Sequence, residues 1–138
     1  MEKVLCIEAN DYNSAYIRGM EFIKNISKGF DRKINNNIVL AFEEVFVNIL
    51  KYNSDKKDLN ILIDIKSDKN IFKVKICDNG KKFNPLLKEP PDFTLTADER
   101  EIGGMGIYIL KKFTDLVEYE YIDNYNVLTF GVNISDEN

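Results

Sequence analysis

The chain has 138 residues, a formal net charge of −4 and 44% hydrophobic residues, values typical of a single globular domain spanning residues 1–138. Its lysines and arginines form no cluster larger than a pair, which argues against direct nucleic-acid binding. The absence of histidine excludes Ser-His-Asp and Cys-His catalysis, histidine-ligated zinc and a phospho-accepting histidine within these residues. Any acid–base chemistry must therefore use carboxylates, lysine or tyrosine.

No apolar run approaches the roughly 20 residues that span a bilayer, and the first residues are too short and too mixed in charge for a secretory signal. We therefore predict a cytoplasmic protein without a membrane partner. Cys6 and Cys77 both lie in apolar, strand-like runs, which favours small buried thiols in a reducing compartment over a disulfide.

Hydrophobic periodicity and turn residues predict a β-α-α-β-β-loop-α-β-β order. In chain order the elements are a strand at 4–9, helices at about 14–28 and from the Asp31 cap to about 52, strands at 60–66 and 71–77, a proline-containing loop or lid at 79–102, a helix from about 106 to 113, and strands at 116–122 and 126–134. This order predicts an α+β fold, a two-layer α/β sandwich with a mixed, mostly antiparallel sheet and helices on one face.

Glu44 and Asn48 lie one turn apart on the second predicted helix and therefore project from the same side. That helix is apolar almost all round, so a carboxylate and an amide there must have partners or line a cleft. An amide oxygen suits Mg²⁺, and a glutamate can act as a base toward a hydroxyl or water. The same spacing is also typical of an ordinary exposed pair.

Asp78, Asn79 and Gly80 end the strand at 71–77. Asp78 has the parity of the inward-facing Phe72, Val74 and Ile76, so its carboxylate needs a donor, such as the amino group of adenine. Gly80 would allow a ring or backbone to approach closely. A simple Asp-Asn-Gly turn explains the same residues on backbone grounds.

Gly103, Gly104, Met105 and Gly106 precede the third predicted helix. Glycine-rich backbone at a helix N-terminus presents N–H groups to an anion, typically a phosphate. The segment lacks the Gly-Lys-Ser/Thr of a P-loop and the third glycine of a dinucleotide fingerprint.

In combination and in this order, these segments resemble the Bergerat ATP-binding fold of gyrase, histidine kinases and a heat-shock chaperone. Among these families, the likeness is closest to the bacterial anti-sigma-factor serine/threonine kinases. The matching segments are residues 41–52, similar to the N box; 78–85, similar to the D-x-G-x-x-F-D-P box; 99–108, similar to the end of the ATP lid; and 126–129, similar to the last-strand signature. Tyr52, Lys82 and Asn84 depart from the residues common in that family.

The resemblance implies ATP and Mg²⁺ as cofactors and a role for each matching position. Glu44 would be the general base, and Asn48 would bind ATP and hold the Mg²⁺. Asp78 and Gly80 would contact adenine, Thr129 would help to hold adenine through water, Arg100 would reach the terminal phosphate, and residues 103–106 would bind the phosphates.

The resemblance also implies a function, an anti-sigma factor that phosphorylates an anti-sigma-factor antagonist protein, with a sigma factor as a further partner. It leaves open whether the chain forms a homodimer. Two alternatives fit the same residues. One is a nucleotide-gated binding module or ATPase without kinase activity, and the other is a detached histidine-kinase catalytic domain acting in trans.

Overall fold

The computed structural model describes residues 1–87 and 106–135. Their elements, in chain order, are β1 (Glu2–Glu8), α1 (Tyr12–Ser27), α2 (Arg32–Tyr52), β2 (Asn60–Ser67), β3 (Ile71–Asp78), a 3₁₀ turn (Pro85–Leu87), α3 (Gly106–Phe113), β4 (Leu116–Ile122) and β5 (Tyr125–Asn133). The predicted element order is confirmed, and its fold class is that of an α+β protein.

Aspartate caps fix where the first two helices begin. Asp31 accepts a hydrogen bond from the backbone N–H of Ile34 at 2.9 Å, as predicted for the start of α2. Asp11 does the same for α1, accepting from the backbone N–H of Ser14 at 2.9 Å and from its hydroxyl at 2.8 Å. Helix α1 therefore starts at Tyr12, two residues before the predicted position.

The sheet has the order β1-β2-β3-β5-β4, and each neighbouring pair is antiparallel. The prediction of a mixed sheet is thus wrong for the part of the chain that the structure describes. Short connections join β2 to β3 and β4 to β5, and so account for these two pairings. The β4–β5 turn places Asp123 and Asn124 at φ of 52° and 68°, the left-handed conformations that a two-residue hairpin requires.

The core lies between α1, α2 and the sheet face that carries the even-numbered residues of β3 and β5. Phe72, Val74 and Ile76 are buried on this face, whereas Lys73 is exposed on the other. Helices α1 and α2 approach closely at Gly19, where a Cβ would lie 2.4 Å from the Phe46 ring.

The two cysteines lie on the opposite sheet face from the core. Cys6 is exposed and Cys77 is half-buried, so the prediction of two buried thiols is wrong. Successive side chains of a strand point to opposite faces of the sheet, and the neighbouring Ile7 and Ile76 take the positions that face the core. Over residues 1–87 and 106–135, none of the helices combines the length and the hydropathy needed to cross a membrane.

Candidate functional site

A pocket opens between α2 and the end of the sheet where β3 terminates. Its walls combine apolar side chains with a small group of polar ones, as in small-molecule sites. The lining residues are Glu44, Val45, Asn48, Ile49, Tyr52, Asn53, Ile76, Asp78, Lys81, Phe83, Pro85, Leu110, Tyr119, Asn126 and Leu128.

Asp78 is the buried carboxylate of this pocket, with 3% of its surface exposed. Its Oδ1 accepts hydrogen bonds from the Gly80 backbone N–H at 2.9 Å and from Asn126 Nδ2 at 3.1 Å. Among residues 1–87 and 106–135, none donates a hydrogen bond to its Oδ2. Burial raises the pKa of Asp78, and the two hydrogen bonds to Oδ1 oppose that shift. The second oxygen is thus available to a donor on a ligand.

Asn126 lies directly opposite Asp78 in the β3–β5 register and is 6% exposed. Its Nδ2 donates to Asp78 and to the carbonyl of Lys81, the latter at 2.8 Å. Its Oδ1 accepts from the Phe83 backbone N–H at 3.0 Å and from the Tyr119 hydroxyl at 2.5 Å. The Asn126 side chain therefore links Asp78, at the end of β3, to the segment that follows Gly80.

Gly80 sits where a side chain would not fit. A Cβ there would lie 2.4 Å from both terminal side-chain atoms of Asn53, which is itself 4% exposed. Asn53 donates to the Ile49 carbonyl at 2.9 Å and accepts from the Lys81 backbone N–H at 2.9 Å, so it joins the end of α2 to this loop. The close approach that Gly80 permits is to Asn53.

Glu44 and Asn48 are half-buried on the pocket side of α2. Burial, and secondly the neighbouring charge of Glu43, raises the pKa of Glu44, while Lys51 opposes that shift. The Glu44 carboxylate has no hydrogen-bond or ion-pair partner within the described residues. Glu43 differs, because its carboxylate accepts a hydrogen bond from the Tyr16 hydroxyl on α1.

These side chains fit a purine nucleotide better than a bare metal ion. The described residues hold no group of three or more His, Cys, Asp or Glu that could bind a metal. A single amide oxygen, such as that of Asn48, suffices for Mg²⁺ only when phosphate and water supply the other ligands. Aliphatic side chains (Ile49, Ile76, Leu128) offer apolar walls for a base, beside the open acceptor of Asp78.

The structure brings together the predicted Glu44, Asn48 and Asp78, with Gly80 adjacent through its hydrogen bond to Asp78. Gly106 is the first residue of α3, whose Leu110 lines the same pocket. Arg100, Gly103, Gly104, Met105 and most of the predicted loop at 79–102 lie outside the described residues.

Thr129 is not brought to the pocket, contrary to the sequence expectation. It alternates with the inward-facing Leu128 and Phe130 and therefore lies on the opposite face of the sheet, beside Glu118. Asn126 stands at the pocket instead.

Sequence reasoning missed Asn126, Tyr119 and Asn53 as pocket residues. A signal for Asn126 was present, because it has the inward parity of Leu128 at the start of a strand, as Asp78 has at the end of another. The contribution of Tyr119 depends on β4 pairing with β5, and no local pattern gives that pairing.

The sequence profile of the histidine kinase-like ATPase domain matches residues 16–132. No curated protein matches the sequence. The fold is similar to the catalytic domain of the histidine kinase ThkA in two nucleotide-free crystal forms. One has a TM-score of 0.58 at 16% identity, covering 96% of this chain and 99% of that chain. The other has a TM-score of 0.56 at 14% identity, covering 96% and 97%. The chain therefore belongs to the histidine kinase-like ATPase domain family and is an ATP-binding domain of that family.

Proposed function

We propose that this domain is an ATP- and Mg²⁺-dependent protein serine/threonine kinase that acts on an anti-sigma-factor antagonist and also binds a sigma factor. The observation that carries the catalytic part of the proposal is Glu44. Its carboxylate is half-buried at the wall of the ATP pocket, next to Asn48, and no described residue binds it.

A carboxylate in this position suits an acceptor that must lose a proton. A serine or threonine hydroxyl loses its proton as it attacks phosphorus, whereas a neutral imidazole attacks through a nitrogen lone pair and needs no base. Burial raises the pKa of Glu44, which makes it a stronger base than an exposed glutamate. These points favour a hydroxyl acceptor.

Phosphoryl transfer depends mainly on positioning and charge neutralisation, and the remaining pocket residues are suited to these tasks. Asp78 would hold the adenine ring of ATP, and Asn48 would hold Mg²⁺ together with the phosphates. A bound Mg²⁺ supplies neutralisation of the phosphate charge. Glu44 would take the hydroxyl proton from the incoming side chain.

The antagonist and the sigma factor enter the proposal through the resemblance of residues 41–52 and 78–85 to the anti-sigma-factor kinases. An enzyme of this kind needs a protein acceptor in trans. A small anti-sigma-factor antagonist protein is the first acceptor to try.

The test is transfer of label from γ-³²P-ATP to that acceptor with Mg²⁺, followed by acid and alkali treatment and phosphoamino-acid separation. Acid-stable phosphoserine or phosphothreonine, absent with EDTA, is the expected result. Acid-labile phosphate on a separate histidine phosphotransfer protein would instead identify a detached histidine-kinase domain. Free phosphate alone would identify an ATPase, and nucleotide-dependent complex formation without turnover would identify a binding module.

A further inference from the structure

We infer that Asn126, fixed in one orientation by its hydrogen-bond partners and held in place by Tyr119, is a positioning residue that directs the open oxygen of Asp78 toward the 6-amino group of adenine and so sets base selectivity. The inference rests on ATP binding in the pocket described above. It concerns a pair of residues on β5 and β4 that are distinct from the proposed base and the proposed Mg²⁺ ligand.

The first step is the hydrogen-bond inventory of the Asn126 amide. An asparagine side chain has two N–H donors and two acceptor lone pairs, and here all four have partners. Turning the amide over would set its NH₂ group against the Phe83 backbone N–H. It would also set its oxygen against Asp78 Oδ1 and the Lys81 carbonyl. The chemistry of the partners therefore allows a single orientation.

The second step is what that orientation does to Asp78. The Asn126 N–H and the Gly80 N–H both go to Oδ1, which leaves Oδ2 as an acceptor without a described donor. Hydrogen bonds from N–H groups favour the charged carboxylate, so Asn126 opposes the effect of burial on the Asp78 pKa. The Oδ2 of an ionised Asp78 is an acceptor only, which suits a 6-amino group and not a 6-oxo group in the same place.

The third step is the contribution of Tyr119. Its hydroxyl donates to Asn126 Oδ1 at 2.5 Å, and its ring lines the pocket. Without this hydroxyl, Asn126 Oδ1 retains only the Phe83 N–H, and the amide is held less firmly in the position from which it donates to Asp78. Tyr121 offers a matched control, because it lies on the same strand and its ring contacts the Lys82 ammonium at 5.1 Å, a contact that phenylalanine preserves.

The experiment compares two nucleotides on the full chain by calorimetry with Mg²⁺: ATP, and purine riboside triphosphate, which lacks only the 6-amino group. We expect the wild type to prefer ATP by about 10–100-fold, the range for a hydrogen bond to a charged group. Asn126→Ala should reduce the preference to within about threefold, Tyr119→Phe should give an intermediate ratio, and Tyr121→Phe should match the wild type. A purely structural role would weaken both nucleotides equally and leave the ratio unchanged.

A second readout is the pH at which ATP affinity falls on acidification. Loss of the Asn126 donor raises the pKa of Asp78 further. The pH at which ATP affinity falls on acidification should therefore be higher in Asn126→Ala than in the wild type and, by less, in Tyr119→Phe. The other ionisable side chains of the pocket are Glu44, Lys81, Tyr52 and Tyr119. Because Glu44 is a second carboxyl group of the pocket whose pKa is raised by burial, all of these profiles are measured in a Glu44→Gln background.

The outcomes separate this inference from the proposed function. If the wild type binds no ATP, ATP binding at this pocket fails, and the inference fails with it. If the wild type prefers ATP but both variants keep its ratio and its pH profile, only the inference is overturned. Equal affinity of the wild type for the two nucleotides would also overturn it. If Asn126→Ala does not fold, Tyr119→Phe, which removes one hydroxyl, decides the question alone.

Discussion

The space between α2 and the sheet has two ends that the protein uses differently. At one end the space is filled by aromatic rings that are completely buried, namely Phe42, Phe46, Phe72 and Phe130. At the other end, four residues before Phe130 on β5 and six residues after Phe72 on β3, the inward positions are held by Asn126 and Asp78. There the space remains open as the pocket.

The comparison shows how one packed interface supplies both stability and a binding site. The aromatic end buries apolar surface and stabilises the fold. The polar end buries a carboxylate whose ionised form is unfavourable there, and it leaves acceptors that no residue in the described ranges 1–87 and 106–135 supplies with a donor. Changes at the aromatic end should therefore affect unfolding, and changes at the polar end should affect ligand binding and chemistry.

Phe46→Ala should produce the largest loss of stability, about 3–5 kcal/mol, because it removes a ring that stacks on Phe42 at 5.0 Å and fits against Gly19. Urea unfolding followed by circular dichroism measures the loss. Ile17→Ala, at a position that is 55% exposed, is the matched control and should change stability by no more than about 0.5 kcal/mol. Equal effects of the two changes would contradict the assignment of the core.

Glu44→Gln should retain ATP binding and reduce phosphoryl transfer by about 10²–10⁴-fold, because it removes the proposed base and keeps the shape of the side chain. The control is Glu43→Gln on the adjacent position, whose carboxylate contacts Tyr16 instead of lining the pocket. Labelled transfer and calorimetry on both variants give the comparison. Normal turnover in Glu44→Gln would eliminate Glu44 as the base.

Asn48→Ala should differ from Glu44→Gln by weakening the binding of ATP itself, and only when Mg²⁺ is present. The reason is that an amide oxygen on the pocket wall is suited to binding Mg²⁺ and not to accepting a proton. Titrations with and without EDTA separate the two effects. A change in turnover at unaltered affinity would contradict this role for Asn48.

Asp78→Asn should weaken ATP binding by about 10–100-fold, since the amide can present an N–H to the adenine amino group. The free energy of unfolding without ligand should stay the same or increase at neutral pH, because a buried charge is removed while an acceptor for Gly80 is retained. Calorimetry and urea unfolding are run on the same preparation. Wild-type affinity in this variant would refute the adenine contact.

The smallest expected effect is a pH dependence of stability in the absence of nucleotide. The pKa of Asp78 is raised by burial, so the folded protein binds more protons than the unfolded chain above the ordinary carboxyl pKa of about 3.9. Stability due to this group is therefore highest at acid pH and falls as pH rises through the folded-state pKa. Unfolding curves of wild type and Asp78→Asn between pH 4 and 7, compared in the Glu44→Gln background, should diverge toward neutral pH.

Sequence patterns predicted the elements well where local chemistry sets them. Asp31 begins α2 as predicted, and the alternation of β3 placed Asp78 on the inner face. The all-antiparallel order and the exposure of Cys6 could not be predicted, because both depend on which strands become neighbours and which sheet face the helices cover. The resemblance placed Thr129 in the ATP site, although the alternation of β5 puts its side chain on the sheet face opposite to Leu128 and Phe130. The hydrogen bonds of Asn126 required three elements to be in place together.

The β3–β5 pairing has a consequence for how the domain assembles. The β2–β3 and β4–β5 pairs join neighbouring segments, whereas Asp78 meets Asn126 only after a closure over 48 positions of sequence. Contacts of such long range form late, since the chain must lose loop entropy before they stabilise anything. The wall of the pocket that Asp78 and Asn126 form therefore does not exist in any partly folded form that contains only the local hairpins. During refolding, the recovery of nucleotide binding would mark the joining of the two halves of the sheet.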